Sequence, residues 1–210
     1  KVRPKDTRVW ARYLVGLWLS GLRLEESLVL SWDLDAPFSV DLSGQHPRFR
    51  ILGEAQKSGD DELLPMTPDF AEWLLQTPES ERVGLVFQLP GQRGQQRATR
   101  HAGMVVSEIG KKAGVVVNKA EGKYASAHDL RRAFGTRWAS RVKTPVLQRL
   151  MRHAAIQTTM AYYVELDADE LAAELWAKHG GPDQGNIRGN IGRQKAPKQS
   201  SQDAVNHCGG

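Results

Sequence analysis

Apolar residues recur at helical spacing from Asp6 to Ser20, where Val9, Trp10, Tyr13, Leu14, Leu17 and Trp18 share one face. The spacing predicts an amphipathic helix, with Gly21 as its C-cap. From Pro37 to Met66 the period changes. Phe38–Leu42, Arg48–Leu52 and Glu62–Pro65 read as short strands separated by Gly- and Asp-rich turns. Thr67-Pro68 then places a cap before a proline at the first helical position, opening a helix through Phe70, Trp73, Leu74 and Leu75. Residues 90 to 100, rich in Gly, Gln and Arg, read as a loop. Thr99 to Ala113 reads as a helix, and Val115 to Tyr124 as irregular chain.

The stretch from Ser126 to Trp138 predicts a further helix, with Ser126 at the N-cap and Leu130, Phe134 and Trp138 as its apolar stripe. Thr144-Pro145 repeats the cap-then-proline device before Val146, Leu147, Leu150 and Met151. A helix opening at Ala155–Thr159 carries Met160, Tyr162, Tyr163 and Val164, and another follows Asp167 with Leu171, Ala172, Leu175 and Trp176 on one face. The expected fold is mainly α with a small three-stranded antiparallel sheet, an α+β domain over residues 1–179. From Gly180 to Gly210 large apolar residues nearly vanish, and such a tail is expected to stay disordered. There is no internal repeat and no sign of a second domain.

Charge adds a direction. The net charge is +5 with a pI near 9.4, which permits a polyanionic partner. The distribution is more telling: from Leu130 to Val164 there is no Asp or Glu, against seven basic residues, Arg131, Arg132, Arg137, Arg141, Lys143, Arg149 and Arg152. A one-signed run of this kind is the electrostatic footprint of nucleic-acid binding. The single cysteine, Cys208, excludes a disulfide framework and a cysteine-based zinc site. No apolar run is long enough for a membrane span and nothing resembles a signal peptide, so a cytoplasmic, DNA-associated protein is expected, with no membrane partner. A chain beginning at Lys1 reads as a fragment of a longer one.

Candidate chemistry gathers at three places. His128 and Arg131, three residues apart, stand together near a helix start, the end that favours a phosphate. Arg23 lies between apolar neighbours at a helix–helix junction, where a bare charge is costly unless an anion meets it. Either Glu26, three residues on, is a structural partner for Arg23, or Arg23 meets an anionic ligand. Lys57 stands at a hairpin tip as the only basic residue between Glu54 and Glu81, among eight acids; surface lysine is the common reading of such a position.

Taken together, three segments resemble the catalytic domain of tyrosine recombinases, the phage integrase family. Gly21-Leu22-Arg23-Leu24-Glu25-Glu26 resembles the family's first arginine box. Ala127-His128-Asp129-Leu130-Arg131-Arg132 is similar to its His-x-x-Arg box. Leu150-Met151-Arg152-His153, continuing through Thr158-Thr159-Met160-Ala161-Tyr162, is similar to the box that ends in the nucleophile. The resemblance covers roughly Asp6 to Lys178, in the family's order. Arg152 departs from it, standing where the family usually has Gly before the histidine.

The resemblance implies a site-specific recombinase or integrase acting on double-stranded DNA. Arg23 and Arg131 would clamp the non-bridging oxygens of the scissile phosphate. Tyr162 would attack phosphorus, giving a 3′-phosphotyrosine and a free 5′-hydroxyl. Its phenol, of pKa about 10, would pass its proton to His128. Lys57 would protonate the leaving 5′-oxygen, and His153 would hydrogen-bond the phosphate. Neither a metal nor any other cofactor is implied. Arg132, Arg137, Arg141, Lys143, Arg149 and Arg152 would contact DNA. The helix over 168–178 would dock on a neighbouring protomer in a tetrameric synapse, and the stretch before Asp6 is expected to lack the family's N-terminal DNA-clamping domain. Two other classes stay open: a DNA-binding relative without catalysis, with Val146–Val164 as a helix-turn-helix, and a type IB topoisomerase or telomere resolvase using the same chemistry. A nuclease built on His128 and His153 lacks carboxylates for Mg²⁺.

Overall fold

A computed structural model describes residues 3–55, 59–90 and 95–164, all within the chain's first compact unit, Lys1–Glu165. Three expectations lie outside the described residues: Lys57 at the hairpin tip, the helix over 168–178, and the tail over 180–210. The elements run α1 (Thr7–Ser20), α2 (Leu24–Val29), β1 (Phe38–Asp41), β2 (Arg48–Ile51), β3 (Glu62–Pro65), α3 (Pro68–Leu75), α4 (Gln95–Lys112), β4 (Val116–Asn118), β5 (Lys123–Tyr124), α5 (Ala127–Ala139), α6 (Thr144–Met151) and α7 (Ile156–Val164). The fold is thus mainly helical with a small three-stranded antiparallel sheet in the order β1-β2-β3, its register set by Val40 opposite Phe49 and Phe49 opposite Leu64.

Three local outcomes differ from the sequence reading. The stretch before α5 is not irregular: β4 and β5 pair antiparallel as a second, two-stranded sheet. Both strands are short and largely exposed, so no alternation of buried and exposed positions announces them. The helix α4 starts at Gln95, inside the expected loop, because Gln, Arg and Ala are good helix formers. In α6 the cap is Lys143, leaving Pro145 at the second helical position; an amide there has no helical partner to lose.

Two apolar clusters form the core. The larger joins α1, the three-stranded sheet and α3 through a run of touching rings, Tyr13, Phe87, Trp73, Phe70, Phe49 and Phe38, with Ala102 and Val106 of α4 packed into the same cluster. The smaller comprises Phe134, Ala139, Leu147, Leu150 and Met151, with Trp138, Tyr162 and Tyr163 packed against it. Between the clusters runs α5, which packs on α1, α4, α6 and α7. Gly21 makes the closest approach possible. Its φ of 61° ends α1 in the left-handed region, and a Cβ there would sit 2.4 Å from Cδ1 of Phe134. Only glycine meets both demands. Among the described residues, no helix is long and apolar enough to cross a membrane.

Candidate active site

Arg131 defines the junction. It leaves the second turn of α5 inward and is 5% exposed. Its Nη1 donates to the carbonyl of Gly21, at the end of α1, and its Nη2 to the carbonyl of Met151, at the end of α6. Two of five N–H donors are thereby used on the backbone, and the two clusters are tied through one guanidinium. Burial, followed by the nearby charges of Arg23 and Arg152, lowers its pKa to about 10. It stays cationic at neutral pH, in surroundings that favour an incoming anion.

Arg23 caps α2 at the opposite wall. Its guanidinium is half exposed, and Nη1 donates to Oε1 of Glu26 at 2.7 Å. Its backbone N–H donates to Oε2 of the same carboxylate at 2.7 Å, so Glu26 reaches back to the helix start it belongs to. The structural pairing with Glu26 is therefore present, while Arg23 also lines an open cleft of about 690 Å³. Arg152, at the end of α6, donates to the same Glu26 through Nε at 3.1 Å and through Nη2. Burial pushes the Glu26 carboxyl up, but the charge and hydrogen bonds of Arg152, with those of Arg23, outweigh it and leave the pKa at about 2.

The cleft is also lined by His128, Arg131 and His153. His128 is exposed in the first turn of α5. That turn is fixed by Asp129, which accepts from the N–H of Ser126 at 2.9 Å and from its hydroxyl at 2.6 Å. His153 follows the end of α6, with its Nδ1 3.0 Å from Oγ1 of the fully buried Thr159. Burial, then the charges of Arg131, Arg23 and Arg152, lower the His153 pKa to about 4, so the ring is neutral at physiological pH. Stacked on it is Tyr162, with centroids 6.0 Å apart and planes 12° apart. The Tyr162 phenol lies within electrostatic reach of Arg131. Tyr163 turns away, and its hydroxyl donates to the carbonyl of Val142 at 2.8 Å.

Four of the six residues expected at the site thus line one cleft, Arg23, His128, Arg131 and His153, and a fifth, Tyr162, is stacked on the last of them. Of the residues expected to face DNA, Arg132, Arg141, Lys143 and Arg149 are exposed. Arg137 lies over Trp18, 3.8 Å from the ring centre. Arg152 instead turns inward onto Glu26, with its side chain 12% exposed. The sequence reading passed over Thr159 and Gly135 as site residues, and it did not see that α4 lines the cleft with Thr99, Gly103 and Ser107. A glycine in the interior of a helix is the available signal for both Gly135 and Gly103; Thr99 and Ser107 carry none. Among the described residues, no group of three or more His, Cys, Asp or Glu could hold a metal ion.

Comparison with solved structures finds the fold of this chain in other proteins. The crystal structure of XerA recombinase matches with a TM-score of 0.50 at 19% identity, over 85% of this chain and 63% of that one. The Tn1549 transposon integrase, in complex with transposon right end DNA, matches with a TM-score of 0.49 at 17% identity, over 84% of this chain and 65% of that one. The chain therefore spans a little under two thirds of each of these proteins. At such identities the XerA likeness is one of fold. Comparison with curated protein sequences gives no match. The model of the phage integrase family matches residues 3–170, most of the chain and every element described above. The chain belongs to the phage integrase family.

Proposed function

We propose that this domain breaks and rejoins DNA strands by transesterification, with Tyr162 as the nucleophile. The observation that carries the reading is the single cleft in which Arg23, His128, Arg131 and His153 converge, with the Tyr162 ring stacked on His153. A scissile phosphate held by the two guanidiniums would have its non-bridging charge met by fixed donors, stabilisation that strengthens as the pentavalent state forms. The Tyr162 oxygen then bonds to phosphorus as the bond to the 5′-oxygen breaks. The phenolic proton passes to His128, and the departing 5′-oxygen takes a proton from Lys57. His153, neutral at physiological pH, donates from Nε2 to a phosphate oxygen if Nδ1 accepts from the Thr159 hydroxyl. Reversal by a different 5′-hydroxyl rejoins strands without ATP, because the phosphotyrosine conserves the bond energy.

Exposed Arg132, Arg141, Lys143 and Arg149 would meet flanking phosphates of the duplex, and the helix over 168–178 would join protomers in a synapse. The test is incubation with a duplex nicked beside the cleavage point, in EDTA, followed by a denaturing gel. A covalent protein–DNA band is expected from the unaltered protein and none from Tyr162→Phe. A band that persists in Tyr162→Phe, or one that requires a divalent metal, would overturn the reading.

A further inference from the structure

Arg152 occupies a backbone conformation that suits it poorly. It ends α6 with φ 50° and ψ 46°, and among the described residues it alone has a positive φ without being glycine. A residue with a Cβ pays for the left-handed region what glycine does not. Its side chain shows what holds it there. Nε and Nη2 both donate to the carboxylate of Glu26, 126 residues earlier in the chain, and the guanidinium lies 5.9 Å from the ring centre of Phe49.

The backbone of Arg152 closes the arrangement, because its carbonyl accepts from Nη2 of Arg23 at 2.8 Å. Arg23 Nη1 and Arg152 Nε converge on the same oxygen, Oε1 of Glu26. A ring results: Arg23 to Glu26, Glu26 to Arg152, and Arg152 back to Arg23. Without Arg152, Glu26 would have Arg23 as its only cationic partner among these contacts, and no second guanidinium would share the carboxylate. With it, one carboxylate is divided between two guanidiniums and the pair keeps an excess of positive charge beside the cleft.

We infer that Arg152 is a positioning residue for Arg23, its side chain engaging Glu26 and its carbonyl orienting the Arg23 guanidinium toward a phosphate in the cleft. The inference rests on the proposed role of Arg23 in binding the scissile phosphate. It differs from a direct role for Arg152 on DNA, which its inward-turned side chain does not favour.

Arg152→Gly tests it, since glycine suits the turn and removes only the side-chain tie. At saturating DNA the single-turnover rate of adduct formation should fall about tenfold or more, with DNA affinity and its salt dependence nearly unchanged. The same substitution in a Glu26→Gln background should cost less than about threefold, because the carboxylate that Arg152 occupies is gone. Arg152→Lys, which keeps the charge but loses the two-point contact, should fall between. Equal losses in both backgrounds would overturn the inference. So would a weakened affinity with the salt slope reduced by about one, the mark of a direct phosphate contact. A second readout does not depend on catalysis: ¹⁵N relaxation of the Arg23 Nε–H should show order in the unaltered protein and loss of order in Arg152→Gly. An unaltered protein that forms no adduct counts against the recombinase reading alone, whereas unchanged Arg23 order in Arg152→Gly counts against the positioning role.

Discussion

The ring of Tyr162 lies directly on the backbone of α5 at Gly135, where a Cβ would sit 2.5 Å from Cε1 of the phenol ring. Nothing else could occupy that side of the helix while the ring stays in place. Alanine is better than glycine in a helix interior by about 1 kcal/mol, so Gly135→Ala sets propensity against geometry. The added methyl should push the ring away from Arg131 and His153. Adduct formation is expected to fall by about tenfold to a hundredfold, the range a misplacement of about 1 Å produces, with the helical circular dichroism retained. An unchanged adduct yield would show that the ring position does not govern attack.

Neighbouring Tyr163 has a different attachment, its hydroxyl donating to Val142. Tyr163→Phe should keep the covalent adduct and lower stability by about 1 kcal/mol, the usual worth of one such hydrogen bond. Denaturant melts and mass spectrometry of the trapped complex check both halves. Nucleotide found on Tyr163 would reverse the assignment.

For Arg131 the structure widens the expectation. A phosphate clamp alone would lose about a hundredfold or more in cleavage on change to alanine, by analogy with an oxyanion donor. Yet this guanidinium also satisfies the buried carbonyls of Gly21 and Met151. Stranding each costs about 1–3 kcal/mol, so Arg131→Ala should also melt well below the parent. Thermal unfolding alongside the cleavage assay separates the two losses. A variant that is inactive but melts normally would mean those carbonyl bonds contribute little.

His153 carries a pH signature. Its folded pKa is depressed to about 4 from an ordinary 6.5 by burial and then by three arginines. Between those values the unfolded chain binds the proton more readily than the folded one, so stability should decline as pH falls from 6.5 toward 4. Above 6.5 this contribution is fully present. His153→Gln should flatten that part of the stability profile, and filling the cleft with a phosphate should raise the pKa seen by NMR. A titration midpoint near 6.5 in the free protein would contradict the half-buried placement beside three arginines.

How much of this could be read from the chain differs from one element to the next. The apolar stripe of α1, its Gly21 stop and the three strands of the sheet follow from local spacing, and Arg23, His128, Arg131, His153 and Tyr162 follow from motif order. The β4–β5 hairpin escapes because its valines face outward: Val116 and Val117 are exposed, and no buried partner imposes a period of two. Thr159 reads as an ordinary helix residue until His153 is placed against it. The bond between Arg152 and Glu26 spans 126 positions, a distance over which local sequence holds no record. Nor does the sequence reveal that Arg152 must turn inward, since an arginine in a basic run looks like any other.

The two carbonyls that grip Arg131 belong to chain segments far apart in sequence. Gly21 is 110 residues from Arg131, and Met151 is 20 residues beyond it. Closing the longer loop carries an entropic cost that grows with its length, and contacts of such separation slow the folding search. The orientation of this guanidinium is consequently a property of the finished domain. A chain still leaving the ribosome, with α1 made but α5 and α6 not yet in place, holds the amino-terminal half of the cleft and none of its aim. The strand cutting proposed above would thus require the complete domain.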